Sequence, residues 1–240
     1  MPEPLKNGET LDILCNDRIR LVQKKKGYRL SIDPLLLANF IKIKKHETLL
    51  DVGTGCGIIP IYMAKKGCPN KLAGIEIQDE LYELSQKNKA LNDCSNVHFI
   101  KGDVRTSVKE IGSFNVVVSN PPYVKDGAGR KSPGYSRLVA RSESMLDLPS
   151  LMSAAASLLP THGRLYLIYP AKRLSELFCA AKDRDLEPRR LRLVHSRAGE
   201  PAVLFLIECM KGGGVDMKVE PPLYIFSNDD YTEEIKTYYV

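Results

Sequence analysis

Thr48-Leu49-Leu50-Asp51-Val52-Gly53-Thr54-Gly55-Cys56-Gly57 is the stretch from which the fold follows. Thr48 to Val52 reads as a short buried strand, the glycines at alternate positions break it, and the apolar run Ile58 to Lys65 continues as a helix. Glycine at 53, 55 and 57 lets the backbone turn sharply and lets a ligand come within van der Waals distance. A dinucleotide site would carry G-x-G-x-x-G, with pyrophosphate at the helix start. Here the spacing is G-x-G-x-G, and Asp51 stands where it would repel a pyrophosphate but attract an ammonium or sulfonium cation.

Working outward, the same strand-then-acid pattern recurs. Glu76 ends the apolar strand Lys71 to Ile75, where a carboxylate can accept both hydroxyls of a ribose. Asp103 follows the strand Val97 to Lys101 and the turn residue Gly102, and its carboxylate can accept from an adenine amino group. S-adenosylmethionine carries both cations together with ribose and adenine. Each acid also has a structural reading: Asp51 as a cap of the helix region, Glu76 as a solvated strand end, Asp103 as the N-cap of the next segment. A fourth strand, Phe114 to Ser119, ends in Asn120-Pro121-Pro122-Tyr123. An exocyclic amine on a ring is a poor nucleophile because its lone pair is delocalised. The Asn120 side-chain oxygen and the Pro121 carbonyl can each accept one of its N–H groups and favour the pyramidal geometry of the transition state. Pro121 and Pro122 stiffen the turn, and Tyr123 offers a face on which a base can stack. The competing reading is an ordinary strand-ending turn.

These four strand ends resemble those of class I S-adenosylmethionine-dependent methyltransferases of the N-P-P-Y group, which methylate adenine N6, guanine N2 or glutamine amide nitrogen. More narrowly, Tyr28-Arg29-Leu30-Ser31-Ile32-Asp33-Pro34-Leu35-Leu36-Leu37-Ala38 and Ala140-Arg141-Ser142-Glu143 are similar to segments of the bacterial tRNA(Val) adenine-37 N6-methyltransferases, with Ser142 where that family commonly shows histidine. The resemblance covers about residues 10 to 210. It implies a Rossmann-like α/β fold: a doubly wound, mostly parallel seven-stranded sheet with an antiparallel end and a small N-terminal extension. It also implies a cofactor site of Tyr28, Arg29, Asp33, Asp51, Gly53, Gly55, Gly57, Glu76, Ile77, Asp103, Val104 and Asn120, and a catalytic turn of Asn120, Pro121, Pro122 and Tyr123. The donor would be S-adenosylmethionine, leaving S-adenosylhomocysteine, with no metal, and the substrate an adenine of tRNA. Protein glutamine is a competing substrate, although the E-P-x-x-A-L stretch usual in those enzymes is missing from Val124 to Arg141. Guanine N2 is another, and a non-catalytic RNA- or partner-binding module is a reading of a different class.

Length and composition agree with one α/β unit plus appendages. The chain has 240 residues and a net charge of +6. Residues 1–45 are expected to form an extension, with a strand pair around Ile19 to Val22 and Tyr28 to Ile32 and a helix from Pro34 to Ile41; 46–210 the methyltransferase domain; 211–240 a tail after Gly212-Gly213-Gly214. Six scattered cysteines without a C-x-x-C pair read as reduced structural thiols, and the four histidines have no metal spacing. No apolar run is long enough to span a membrane and no basic-then-apolar leader opens the chain, so a soluble cytoplasmic protein, monomer or homodimer, is expected. Lys24, Lys25 and Lys26, read as a hairpin tip, and Arg130, Lys131, Arg137 and Arg141, in the loop after Tyr123, are candidate phosphate contacts. The later arginines Arg189, Arg190, Arg192 and Arg197 read either as further phosphate contacts or as a solvated face.

Overall fold

The computed structural model describes residues 5–25, 30–121 and 146–239. Its centre is a mixed sheet of nine strands. In chain order these are β3 (Leu49–Val52), β4 (Leu72–Glu76), β5 (Val97–Lys101), β6 (Val116–Ser119), β7 (Arg164–Pro170), β8 (Leu186–His195), β9 (Ala202–Lys211), β10 (Lys218–Val219) and β11 (Leu223–Tyr224). The spatial order is β10-β8-β9-β7-β6-β3-β4-β5, with β11 also pairing with β8. β3 to β7 are mutually parallel, and β9 runs antiparallel to both β7 and β8. The seven strands β3 to β9 are the expected sheet; the tail adds two short strands along the outer edge of β8.

The sequence explains the layering. β3, β6 and β7 are buried along their whole length, as parallel strands covered on both faces must be, and so they read as unbroken apolar runs. The described helices are α1 (Asp33–Phe40), before the sheet, α2 (Ile58–Lys65), α3 (Asp79–Leu91), α4 (Val104–Ile111), α5 (Leu148–Leu158) and α6 (Leu174–Lys182), between its strands, and α7 (Glu233–Thr237), after it. All four expected strand ends, at Val52, Glu76, Lys101 and Ser119, are where the strands stop.

The N-terminal hairpin differs from expectation. Its strands are β1 (Glu9–Leu14) and β2 (Ile19–Lys24), paired antiparallel, while Leu30 and Ser31 are not in a strand. The turn lies at Cys15-Asn16-Asp17, all with φ between 50° and 65°. Asn and Asp tolerate that left-handed region, which is the local signal for this turn. Lys24 and Lys25 therefore sit at the far end of β2, not at a hairpin tip.

Two buried asparagines hold the hairpin on α3. Asn88, with no exposed surface, accepts from Val22 N at 2.7 Å and donates to Val22 O at 3.1 Å and Cys56 O at 2.9 Å. Asn92 does the same for Arg20, accepting at 2.9 Å and donating at 2.7 Å. A side-chain amide here mimics a third strand. Asn88→Ala leaves buried backbone groups of Val22 and Cys56 unpaired, at about 1–3 kcal/mol each. Urea unfolding of that variant is expected to show a loss of about 3 kcal/mol or more, since three backbone groups lose their partner.

The arginines of β8 face the tail. Arg189 donates to Gly214 O and lies 3.4 Å from Asp216. Arg192 clasps Glu234 through both terminal nitrogens, at 2.5 and 2.8 Å, and holds its carboxyl below the usual range. Arg197, just beyond the strand, donates to Asn228 O at 3.2 Å and lies over the Phe226 ring. Arg190 is buried and meets Glu208 and Glu220, each at 3.4 Å. The series serves to bind residues 214–234 to the sheet.

Candidate active site

The carboxyl ends of β3, β4 and β6 converge where the strand order reverses, which is where doubly wound sheets take ligands. The loop after β3 is built for close approach: Gly53, Gly55 and Gly57 have φ of +70°, +58° and +85°. At Gly57 a Cβ would also lie 2.4 Å from the Phe99 ring on β5. Gly57→Ala therefore combines left-handed strain with a ring collision. Its melting temperature is expected to fall by several degrees, and the loop to lose its shape.

Two buried carboxylates flank the loop. Asp51, 2% exposed, accepts from the Thr54 hydroxyl at 2.7 Å. Burial pushes its pKa up to about 8; the Thr54 hydrogen bond opposes the rise and the charge of Glu76 adds to it. Thr54 fits there because β4 carries Gly74 opposite: a Cβ on Gly74 would lie 2.6 Å from the Thr54 hydroxyl oxygen. Glu76 accepts from Gly55 N and Gln78 N, both at 2.9 Å, so the loop and the next turn are tied to one carboxylate. Among the described residues neither acid has an ion-pair partner. The half-buried Cys56 thiol is pushed up to about 12, chiefly by burial, which leaves it protonated and unreactive at neutral pH.

Asp103 caps α4. It accepts from Arg105 N at 2.9 Å, and the Arg105 guanidinium, reaching it at 2.5 to 3.0 Å, holds its carboxyl below the usual range. It stands two strands from β3, about 10 Å away. Ile77 projects at 38% exposure beside Glu76, whereas Val104 and Asp33 are buried. On the other side, Ser119 donates to Val52 O at 2.8 Å and locks the end of β6 to the end of β3. This fixes the half-buried Asn120 and the buried Pro121 one strand from the glycine loop.

Thus Asp51, the three glycines, Glu76 and Asn120 are drawn to one rim, with Ile77 and Asp103 farther along it. Pro122, Tyr123, Tyr28, Arg29, Lys26, Arg130, Lys131, Arg137 and Arg141 lie outside the described residues, as does Ala140 to Glu143. Lys24 is 3.3 Å from Glu80 on α3, and Lys25 is exposed. Thr54, Gly74 and Ser119 are not evident from the sequence, because their roles depend on which strands are neighbours. No group of three or more His, Cys, Asp or Glu among the described residues is placed to hold a metal ion, and no described helix is long and apolar enough to cross a membrane.

A parallel core with an antiparallel end, a glycine loop after its first strand and acids at the next two strand ends defines the class I methyltransferase architecture. Solved structures agree on the fold: a predicted O-methyltransferase from Agrobacterium tumefaciens (TM-score 0.70, 20% identity, covering 86% of this chain and 94% of that one) and a methyltransferase from Pyrococcus furiosus (0.58, 19%, 81% and 89%). The model of the methyltransferase small domain matches residues 31–176, and the chain belongs to that family. Curated relatives include proteins named tRNA1(Val) (adenine(37)-N6)-methyltransferase. The one from Porphyromonas gingivalis is 33% identical over 204 residues (80% of this chain, 76% of the relative), and the one from Phocaeicola vulgatus 28% identical over 217 (88% and 91%). Family and fold together imply S-adenosylmethionine as methyl donor.

Proposed function

We propose that this protein transfers the methyl group of S-adenosylmethionine to N6 of an adenine in tRNA, at position 37 of the anticodon loop of a tRNA(Val). The observation that carries the reading is the fixed apposition of Asn120-Pro121 to the glycine loop and its buried acids, through Ser119 and Val52. The named relatives, matched over most of both chains, support the substrate.

The residues present fit the donor. Asp51 and Glu76 are buried carboxylates whose partners are a hydroxyl and backbone amides, so a bound cation offsets the cost of their charge. Asp51 would face the ammonium and sulfonium end, and Glu76 the ribose hydroxyls. Ile77 would pack on the adenine, and Asp103 with Val104 would bound its far edge. Bound there, S-adenosylmethionine supplies an electrophilic methyl.

The chain's own contribution is positioning. The Asn120 oxygen and Pro121 carbonyl hold the amine by its two N–H groups and turn its lone pair toward the methyl, while Tyr123 stacks on the base. A loop base is already partly unstacked, so its extrusion costs less than from a duplex. The proton leaves for water after transfer, and no side chain need act as base. Tyr28, Arg29 and Asp33 would cover the donor, and Lys24, Lys25, Lys26, Arg130, Lys131, Arg137 and Arg141 would bind phosphates, making affinity fall steeply with salt.

Labelled methyl from S-adenosylmethionine is expected to enter an unmodified tRNA(Val) transcript and not one carrying guanine at position 37. Equal incorporation into both would overturn the assigned position.

A further inference from the structure

The C-terminal segment completes the packing of α1, the helix that begins with Asp33. Asn39 of α1 donates to the Tyr62 hydroxyl at 2.7 Å, and that hydroxyl donates to Tyr238 O at 2.8 Å. One residue on, the Phe40 carbonyl accepts from Arg190, whose guanidinium also lies 3.9 Å from the centre of the Phe40 ring. Arg190 is 5% exposed, and its charge meets Glu208 from β9 and Glu220 from the tail. The last turn of α1 therefore rests on two groups, Tyr62 and Arg190, and each takes a partner from residues 220–238.

The direction of α1 connects this contact to the rim. Lys42, just past α1, accepts through its carbonyl from Arg164, the first residue of β7, at 2.8 Å. α1 thus ends at the amino edge of the sheet. α2 starts at the glycine loop and runs toward that same edge, and the Asn39–Tyr62 bond joins the two helices side by side. Counting back four residues along each, from 39 to 35 and from 62 to 58, sets Leu35 level with Ile58, the first residue of α2, about 6 Å up the helix, and Asp33 lies two residues beyond Leu35, at the end of α1 on the glycine-loop side. A shift of α1 at Asn39 is a shift of Asp33 at the glycine loop.

We propose that residues 220–238 act as a brace, with Tyr62 and Glu220 as positioning residues that hold α1 in register for donor binding. This rests on the reading of the rim as the donor site. Neither residue touches donor or substrate, so the brace governs affinity for S-adenosylmethionine and leaves the rate at saturation alone.

The test uses Tyr62→Phe, which keeps the ring and removes the hydroxyl, and Glu220→Gln. Asp229→Asn serves as a control, since Asp229 is exposed and among the described residues meets only the outer Arg197, at 3.9 Å. Calorimetry is expected to show donor Kd raised about three- to tenfold in the first two, as one lost hydrogen bond or ion pair implies, and within twofold of the parent in the control. The kcat at saturating donor is expected to stay within twofold in all three. Hydrogen exchange of the free proteins is expected to show faster exchange at Leu36 to Ile41 in the first two alone. A lower melting temperature with unchanged Kd and unchanged exchange in α1 would reduce the brace to general stability and overturn the proposal. Failure of the parent protein to bind the donor would instead count against the rim as its site, and the exchange pattern would still decide the brace.

Discussion

Asn120→Ala is expected to lower kcat for methyl transfer by about 10²- to 10³-fold, the range seen when one fixed hydrogen-bonding group that stabilises a transition state is removed. Donor affinity should change far less than kcat, because Asn120 is one of several groups on the donor rim and its place is fixed by the β6 to β3 tie. Asn120→Asp separates the two halves of the side chain. It keeps an acceptor for the amine and replaces the NH₂ by a second, charged oxygen, so it should retain more activity than the alanine variant. Single-turnover rates at saturating donor, with calorimetry on the same proteins, measure both quantities. An alanine variant as fast as the parent would remove Asn120 from the chemistry.

Asp51→Asn should act on binding. Losing one partner of a buried charge pair costs about 2–5 kcal/mol, so donor Kd should rise by at least about 30-fold. The parent carries a pH signature. In the free protein burial holds Asp51 protonated up to about pH 8, and a cation beside it favours the ionised form. Binding should therefore release a proton below about pH 8, with affinity rising as pH rises and levelling above that value. The stability of the free protein runs the other way. A carboxyl with a raised folded pKa contributes stability that is complete below the ordinary carboxylate range and is lost as pH rises through about 8. Calorimetry in two buffers of different ionisation enthalpy reads the proton count. No proton release at pH 6.5, together with an unchanged Kd in Asp51→Asn, would contradict the assignment of Asp51 to the cation.

How much of this was legible depended on the distance over which each signal acts. The parallel core was plain because buried strands are short apolar runs closed by one informative residue: Val52 before Gly53, then Glu76, Lys101 and Ser119. The hairpin was misplaced because its turn is signalled only by Asn16 and Asp17 in left-handed conformations, and because the face of α3 beneath it is polar. Asn88 and Asn92 are buried there to satisfy the backbone of β2, which no apolar periodicity reveals. The arginines on and just beyond β8 are ambiguous in the sequence for a related reason. Arg189, Arg192 and Arg197 find their partners 27, 42 and 31 residues away, in a tail that turns back along the sheet edge. Likewise Thr54 and Gly74 acquire meaning only once β3 and β4 are known to be neighbours.

Methylation of an exocyclic amine of adenine at the rim formed by Asn120, Pro121, Asp51 and Glu76 is the proposed activity. Its most direct test is nucleoside mass spectrometry of tRNA lacking this modification after incubation with the protein and S-adenosylmethionine, with Asn120→Ala alongside. The expected result is N6-methyladenosine from the parent and none from the variant. A methylated guanosine, or no methylated nucleoside while the donor binds normally, would contradict it.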